Sequence, residues 1–202
     1  MSQILDGYAA SATPELIARY DAIPVEDIYA PVLDLFPTSP SRIADIGAGT
    51  GRDSAWLAGL GHRLLAIEPV DALRCAGMKL HDSPAIQWLE DALPTLEHVP
   101  ARTRFDLLLL CAVWQHLGEE AQGPAMRRLA ALTAPGGRII MSLRHGPGAA
   151  NRPVFPVRPD RTIDDARASG LQLLRRRRSE SVQAENRAAG VYWTWLAFLK
   201  PA

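Results

Sequence analysis

The sequence lacks the features that mark membrane and secreted proteins. The longest apolar run is eight residues, from Leu107 to Trp114, whereas a membrane-spanning helix needs about 20 apolar residues. The N-terminus has neither the basic start nor the apolar stretch of a signal peptide. Two cysteines, Cys75 and Cys111, lie in apolar segments, which excludes a disulfide framework. We therefore expect a cytoplasmic protein with free thiols and no membrane contact.

An excess of charge of either sign is also lacking. Lys and Arg total 22, and so do Asp and Glu, which gives a formal net charge of zero. A protein that binds nucleic acid through a broad basic face is therefore disfavoured. One basic run, at residues 175–178, could contact RNA phosphates or form a solvated strand edge that discourages sheet pairing. No spacing of Cys and His suggests a metal site, and we expect none.

The chain contains enough apolar residues for one packed core. It has 202 residues, of which 48% are apolar and 22% are charged, the mix of an ordinary globular domain. We expect a single domain over residues 1–202. Residues 1–38 are predicted to contain a helix beginning at Pro14 and a second one over residues 25–35. These helices would form an N-terminal cap or lid.

Strands and helices alternate along the rest of the chain. Apolar runs bounded by turn residues predict seven strands, at residues 42–46, 62–67, 86–89, 105–111, 138–143, 171–177 and 191–199. Helices are predicted to begin near Asp53, Val70, Ala121 and Thr162. This alternation indicates an α/β fold with a doubly wound, mostly parallel sheet. The last two strands are joined by about 13 residues without a helical pattern, so we expect that pair to be antiparallel.

The first predicted strand ends in a glycine-rich turn that leads into a helix. Gly47, Gly49 and Gly51 occupy this turn, where the absence of side chains lets a ligand approach the backbone closely. Glu68 closes the second predicted strand. In such folds an acidic residue at that place faces the ribose of a bound nucleoside, because both ribose hydroxyls can donate to one carboxylate. The sequence therefore predicts a nucleoside site at this edge of the sheet.

Two carboxylates beside the glycines bear on which nucleoside binds. Asp45 precedes the first glycine and Asp53 follows the last. They would repel the pyrophosphate of a dinucleotide, which needs an anion-binding helix N-terminus, and would attract an ammonium group. S-adenosylmethionine combines a ribose, an adenine and an ammonium-bearing tail. We expect Asp53 to be the N-cap of the helix rather than a ligand.

Several segments resemble motifs of the class I S-adenosylmethionine-dependent methyltransferases. Residues 44–51 resemble motif I, and Glu68 matches the acidic residue after the second strand. Residues 88–94 resemble the third-strand motif, in which an acid contacts the adenine amino group. Residues 111–117 are similar to the segment after the fourth strand in the small-molecule branch, and residues 135–137 are typical of the turn before the fifth strand. The seven-stranded sheet of that family, with one antiparallel strand, agrees with the predicted topology.

The resemblance implies S-adenosylmethionine as the cofactor and S-adenosylhomocysteine as its product. Asp45 would offset the ammonium, directly or through water, Glu68 would hold the ribose, and Asp91 with Ala92 would frame the adenine. Arg52 could reach the cofactor carboxylate or point to solvent. The complete predicted cofactor set is Tyr20, Asp45, Gly47, Ala48, Gly49, Gly51, Arg52, Glu68, Pro69, Asp91, Ala92 and Cys111. Within this set, Tyr20 could be either a lid aromatic or a core residue.

Polar side chains after the fourth and fifth strands are candidates for the chemistry. Histidine is the usual proton acceptor near neutral pH, and His116 and His145 follow these two strands. We expect His145 to be the better catalytic candidate, because a Gly-Pro loop beside it could admit substrate, whereas His116 could simply be buried. Trp114, Arg144 and His145 are the predicted substrate contacts. Methyl transfer need not use a strong base, since alignment of donor and acceptor can supply most of the acceleration.

These observations favour a methyltransferase that acts on an oxygen or nitrogen of a small molecule. The segment after the fourth strand lacks the Asn/Asp-Pro-Pro-Tyr signature of many nucleic-acid-base and glutamine methyltransferases. Three alternatives stay open: a nicotinamide-dependent oxidoreductase, a relative that binds the cofactor without catalysis, and an RNA methyltransferase that uses residues 175–178. The sequence carries no signal for an oligomeric state.

Overall fold

A computed structural model describes residues 2–149 and 151–202. Within these residues, seven strands form one sheet: β1 (Arg42–Ile46), β2 (Arg63–Ile67), β3 (Ile86–Leu89), β4 (Phe105–Leu110), β5 (Thr133–His145), β6 (Gln172–Glu180) and β7 (Tyr192–Leu199). Their order is β3-β2-β1-β4-β5-β7-β6. Strand β7 is antiparallel to both of its neighbours, and the other pairs are parallel. The predicted mostly parallel sheet with one antiparallel strand is therefore confirmed.

Helices precede the sheet and cover both of its faces. The described helices are α1 (Ser2–Ser11), α2 (Pro14–Asp21), α3 (Val25–Tyr29), α4 (Arg52–Gly59), α5 (Asp71–Leu80), α6 (Glu119–Leu132), α7 (Pro159–Ala168) and α8 (Ala184–Ala188). Short 3₁₀ turns occur at Leu33–Leu35 and Trp114–His116. Among the residues that the structure describes, no helix has both the length and the apolar character needed to cross a bilayer.

Several helix boundaries differ from the predictions. Helices α1 and α8 were not predicted. The helix expected over residues 25–35 ends at Tyr29, because Pro31 lacks the N–H that an extension would need and its ring clashes with the preceding turn. Helix α7 begins at Pro159 rather than Thr162, since proline is favoured in the first helical position.

The sheet separates two hydrophobic cores. Successive side chains of a strand point to opposite faces, so the apolar run of β4 serves both cores. Leu108 and Leu110 pack with α6 and α7, whereas Leu107 and Leu109 pack with α3 and α4. All four side chains are fully buried, as expected for a parallel strand covered on both faces. This layering leaves the carboxyl ends of the parallel strands available for a binding site.

Glycine in α5 allows that helix to pack against β3 and the glycine-rich loop. A Cβ at Gly77 would lie 2.3 Å from Trp88 Cη2 and 2.7 Å from the carbonyl oxygen of Thr50. Gly77→Ala should therefore lower the free energy of unfolding by about 1–3 kcal/mol through overpacking, although alanine is the better helix former. Gly59→Ala in α4 is the matched control, because its Cβ would meet no atom within 4 Å.

Urea unfolding of the two variants measures this difference. The control should be unchanged or more stable by about 0.4–1 kcal/mol. Equal stability changes in the two variants would contradict the packing argument.

Candidate functional site

A cavity of about 700 Å³ opens at the carboxyl ends of the parallel strands. Ligands of open α/β sheets bind at this edge, and the volume lies within the range of small-molecule pockets. Loops after β1, β2, β3 and β4 form its floor. Tyr8 on α1 and Tyr20 on α2 contribute to its lining. The N-terminal helices therefore border the cavity.

The glycine-rich loop after β1 is tied to the end of β2. The backbone N–H groups of Gly47 and Ala48 both donate to the carbonyl oxygen of Ile67, at 2.8 and 3.0 Å. Gly49 has a φ of +58° and no neighbour within 4 Å of an added Cβ. That left-handed conformation favours glycine, and it brings backbone to the cavity without a covering side chain.

Glu68 holds this loop in place and borders the cavity. Its Oε2 accepts the N–H of Gly49 and its Oε1 accepts the N–H of Val70, both at 2.8 Å. Burial raises the pKa of Glu68, and these two backbone hydrogen bonds counteract the rise. A carboxylate has about four acceptor positions, so two positions stay available for hydroxyl groups of a ligand. Glu68 thus fits the role predicted for it.

Asp91 lies on the cavity, but its carboxylate has a different task from the predicted one. Oδ1 accepts the N–H groups of Ala92 and Glu97, at 2.9 and 3.1 Å. Oδ2 accepts those of His98 and Val99, at 2.8 and 3.2 Å. These four bonds use all the acceptor positions of a carboxylate. The structure therefore corrects the expectation that this side chain accepts from adenine: it organises the loop after β3.

Asp45 and Gly51 belong to the predicted cofactor set but do not border the cavity within the part of the chain that the structure describes. Asp45 is 2% exposed and accepts the hydroxyl of Ser54 at 2.8 Å. Burial, with the charge of Asp53, raises its pKa to about 7. Gly51 faces Trp88, whose Cη2 would lie 2.6 Å from an added Cβ. The expectation that Asp45 contacts an ammonium group directly is therefore corrected.

Arg52 and Asp53 form a largely buried ion pair that borders the cavity. Their closest atoms, Arg52 Nη2 and Asp53 Oδ1, are 2.6 Å apart. Arg52 also donates to the carbonyl oxygen of Tyr20, and Asp53 accepts the hydroxyl of Tyr29. The helix N-cap is Gly51, so the prediction that Asp53 is the N-cap is wrong. Arg52 points inward rather than to solvent.

His116 and Tyr8 both line the cavity and contact each other there. His116 Nε2 lies 3.0 Å from the hydroxyl of Tyr8, and its Nδ1 lies 3.3 Å from the carbonyl oxygen of Pro153. A carbonyl only accepts, so Nδ1 carries the proton of the neutral ring and Nε2 accepts from Tyr8. Burial lowers the pKa of His116, and the charges of Arg152 and Arg144 add to this effect. Burial also raises the pKa of Tyr8 to about 12.

Strand β5 brings Arg144 to the cavity but points His145 away from it. Because side chains alternate along a strand, two consecutive residues cannot both face one side. Arg144 lines the cavity with Ser142. His145 stacks on Tyr192 with ring centroids 4.5 Å apart, and its Nε2 lies 2.9 Å from the hydroxyl of Thr194. The structure corrects the expectation that His145 faces the acceptor.

Trp114 is also misplaced by the sequence prediction. Its side chain is fully buried within the core that contains α6 and α7. Its indole N–H donates to the hydroxyl of Thr162 at 3.2 Å. Trp114 therefore anchors the turn after β4 to α7, and it is not among the described residues that line the cavity.

Most of the predicted cofactor set does converge on the cavity. Ten of its members line it: Tyr20, Gly47, Ala48, Gly49, Arg52, Glu68, Pro69, Asp91, Ala92 and Cys111. Cys111 is a free thiol, and burial raises its pKa to about 12. Two further lining residues, Tyr8 and Arg152, were missed. The spacing of Ile4 and Tyr8 could have indicated an amphipathic α1, whereas no sequence signal identified Arg152.

The sequence matches known proteins over its central half. Residues 44–141 match the family model described as a methyltransferase domain. The ubiquinone biosynthesis O-methyltransferase of Rhodopseudomonas palustris (strain BisB18) is 31% identical over 101 residues, which are 50% of this chain and 39% of that protein. The chain thus spans less than half the length of the curated relatives that it matches.

Solved structures share the fold over nearly the whole chain. The 1,6-didemethyltoxoflavin-N1-methyltransferase of Burkholderia thailandensis, with bound 1,6-didemethyltoxoflavin and S-adenosylhomocysteine, has a TM-score of 0.69 at 22% identity. That match covers 100% of this chain and 85% of the other. The N-methyltransferase NodS from Bradyrhizobium japonicum WM9 has a TM-score of 0.66 at 15% identity, covering 94% and 99%. The match to the family model indicates a methyltransferase domain over residues 44–141, and these solved methyltransferase structures share the fold of the chain.

The role of Asp91 can be separated from that of a ligand contact. Asp91→Asn replaces one acceptor oxygen by an amide NH₂ that faces backbone N–H donors. We expect the free energy of unfolding in urea to fall by about 1.5–3 kcal/mol. Affinity for S-adenosylhomocysteine should change less than about threefold, which is under 1 kcal/mol. The exposed Asp82→Asn serves as control, with a stability change within about 0.5 kcal/mol.

If the Asp91→Asn variant bound S-adenosylhomocysteine more weakly without losing stability, the original prediction that Asp91 contacts the adenine directly would be supported.

Glu68 should matter for binding because its carboxylate both shapes the glycine loop and retains acceptor positions toward the cavity. Glu68→Ala should weaken S-adenosylhomocysteine binding by about 1.5–3 kcal/mol, roughly a 10- to 150-fold rise in the dissociation constant. Calorimetry measures this directly. The exposed Glu120→Ala on α6 is the control and should bind normally. An unchanged dissociation constant in Glu68→Ala would refute the assignment.

Proposed function

We propose that this chain is an S-adenosylmethionine-dependent methyltransferase that methylates an oxygen or nitrogen of a small molecule. The observation that carries the proposal is the carboxylate of Glu68, which is hydrogen-bonded to Gly49 and still has acceptor positions beside the cavity. S-adenosylmethionine supplies a methyl group already activated by its sulfonium. The names of the relatives support this reading, since they include an O-methyltransferase and N-methyltransferases.

The residues around the glycine-rich loop would hold the cofactor. Glu68 would accept the ribose hydroxyls, and the exposed backbone at Gly49 would approach the methionine tail. The side chain of Asp91 is occupied by backbone donors, so Ala92 and the neighbouring apolar lining would frame the adenine. Tyr20 would close over the cofactor, because it borders the cavity from α2.

Tyr8 and His116 would receive the proton of the methyl acceptor. Both are neutral near pH 7, and Tyr8 already donates to His116 Nε2. As the acceptor gives up its proton to the Tyr8 oxygen, Tyr8 can pass its own proton to Nε2. The carbonyl oxygen of Pro153 stabilises the resulting imidazolium through Nδ1–H. This relay replaces His145 as the candidate general base.

The alternatives find less support. The family match disfavours an oxidoreductase. Strand β6, which carries the basic run, is an edge strand, but Arg175 and Arg176 each pair with a carboxylate and Arg178 lies over an aromatic ring. Fewer arginines of residues 175–178 are then available to bind RNA phosphates. We further propose that residues 1–202 act as one domain, with residues 1–38 as its lid, in the cytoplasm.

A methyl-transfer assay tests the proposal. The purified chain is incubated with S-adenosylmethionine labelled in its methyl group and with a panel of phenols, amines and heterocycles. We expect label in at least one organic product, together with an equal amount of S-adenosylhomocysteine. Binding of S-adenosylhomocysteine without any transfer would favour the non-catalytic relative instead.

The relay predicts how activity depends on His116 and on pH. His116→Asn should lower kcat by about a hundredfold or more, within the range of general-base catalysis, whereas His145→Asn should stay within about twofold of the unmodified enzyme because it points away from the cavity. The pKa of His116 lies below its ordinary value of about 6.5. Activity should therefore be constant above that pH and fall only as the pH drops through the lowered pKa.

Steady-state rates with the best acceptor from the panel provide the measurement. Tyr8→Phe should also lower kcat, because it removes the relaying hydroxyl. Equal losses in His116→Asn and His145→Asn would contradict the relay.

A further inference from the structure

Arg144 and Arg152 both line the cavity, and within residues 2–149 and 151–202 neither has a carboxylate partner. Arg144 donates to the carbonyl oxygens of Gly146 and Pro147 and, at 3.4 Å, to Asn186 Oδ1. Arg152 Nη1 donates to the hydroxyl of Tyr20 at 2.8 Å. Over the described ranges, 2–149 and 151–202, neither guanidinium has a carboxylate oxygen within 4.0 Å. All neighbours that these two cations contact by hydrogen bonds are neutral.

This arrangement differs from that of two other arginines near the cavity. Arg52 and Arg74, which also lie near the cavity and its rim, are each paired with Asp or Glu. Arg161 and Arg176, on the surface, are paired as well. Among the described residues, Arg144 and Arg152 thus have no carboxylate within 4.0 Å, and the same holds for Arg19, which also lines the cavity. Glu185 on α8 lines the same cavity but lies beyond 4.0 Å of either guanidinium.

Both guanidinium groups are held in position. Arg152 lies over the ring of Tyr8, with its Cζ 4.9 Å from the ring centroid, and its Nε is buried without a hydrogen-bond partner among the described residues. Arg144 extends from β5 directly opposite Trp193 of β7. Burial lowers the pKa of Arg144, and the charge of Arg152 lowers it further. Both side chains line the same cavity.

Such a pair is suited to binding an oxyanion. Guanidinium groups present planar pairs of N–H donors that match the oxygens of a carboxylate or phosphate. Two like charges in a partly buried site destabilise each other, and an anion between them removes that repulsion. The site also has apolar walls that would suit a flat ring: Ile4, Leu5, Val154 and Trp193.

We propose that the methyl acceptor is a small planar acid whose carboxylate or phosphate is bound by Arg144 and Arg152. Its reactive hydroxyl or amine would lie beside Tyr8 and His116, since Arg152 stacks on Tyr8 and Tyr8 is hydrogen-bonded to His116. This inference rests on the proposed methyltransferase function and adds the chemical class of its substrate.

Matched probes test the oxyanion requirement. The chain saturated with S-adenosylhomocysteine is titrated with 2-, 3- and 4-hydroxybenzoate, with the corresponding hydroxybenzamides, and with 4-hydroxyphenyl phosphate. Each acid and its amide have nearly the same shape and differ in charge. We expect at least one benzoate, or the phosphate, to bind tenfold or more tightly than the neutral amides. A comparison of 4-hydroxyphenyl phosphate with the hydroxybenzoates shows whether the site prefers a phosphate or a carboxylate.

Variants connect this preference to the two arginines. Arg144→Gln and Arg152→Gln should each reduce the preference for the anion at least fivefold. S-adenosylhomocysteine binding should stay within threefold in Arg144→Gln, and Arg152→Gln, which loses its hydrogen bond to Tyr20, should still bind this ligand. Arg144→Lys keeps the charge and should retain part of the preference. Arg63→Gln, at the exposed start of β2, is the control and should change nothing. Retained binding of S-adenosylhomocysteine shows that each variant is folded.

The outcomes separate the two claims. Equal binding of acids and amides, a preference that survives both Gln substitutions, or no binding of any anion by a chain that binds S-adenosylhomocysteine would overturn this inference alone. Failure of the unmodified chain to bind S-adenosylhomocysteine would overturn the proposed function as well.

Discussion

The buried carboxylate of Glu68 is the constraint on which the rest of the binding site depends. It accepts backbone N–H groups on both sides, from Gly49 after β1 and from Val70 before α5. These charge-assisted bonds, with the backbone bonds of Gly47 and Ala48 to Ile67, fix the glycine-rich loop. The same carboxylate keeps acceptor positions toward the cavity, so one group both shapes the cofactor loop and is available to a ligand.

Sequence patterns predicted the sheet well because its central strands are unambiguous. Strand β4 is buried on both faces, and such strands read as continuous apolar runs. Helix α1 was not predicted, and part of its packing is against a loop that is distant in the sequence. Its Gly7 approaches Asn151, whose carbonyl oxygen would lie 1.8 Å from an added Cβ. Contacts of that kind depend on tertiary structure and leave little trace in local periodicity.

The methyltransferase domain was predicted correctly, although part of the electrostatic argument for its cofactor was wrong. Asp45 is not among the described residues that line the cavity, and burial together with the charge of Asp53 raises its pKa, which disfavours the charged form that the argument needed. The carboxylate of Asp91 accepts hydrogen bonds from four backbone N–H groups. Residue type and spacing located the binding region, but roles depend on which N–H groups surround each carboxylate. The alternation of side chains along β5 likewise places Arg144, and not His145, at the cavity. The exact register of the strand was needed to see which of the two residues faces it.

Calorimetric titration of the unmodified chain with S-adenosylmethionine, S-adenosylhomocysteine and NAD tests the account most directly. Glu68 holds the glycine-rich loop in place, and Gly49 leaves its backbone uncovered toward the cavity. The chain should therefore bind the first two ligands with micromolar dissociation constants and should not bind NAD. Binding of NAD alone would contradict the assignment of the cavity. Absence of binding by all three would show that this geometry does not form a cofactor site.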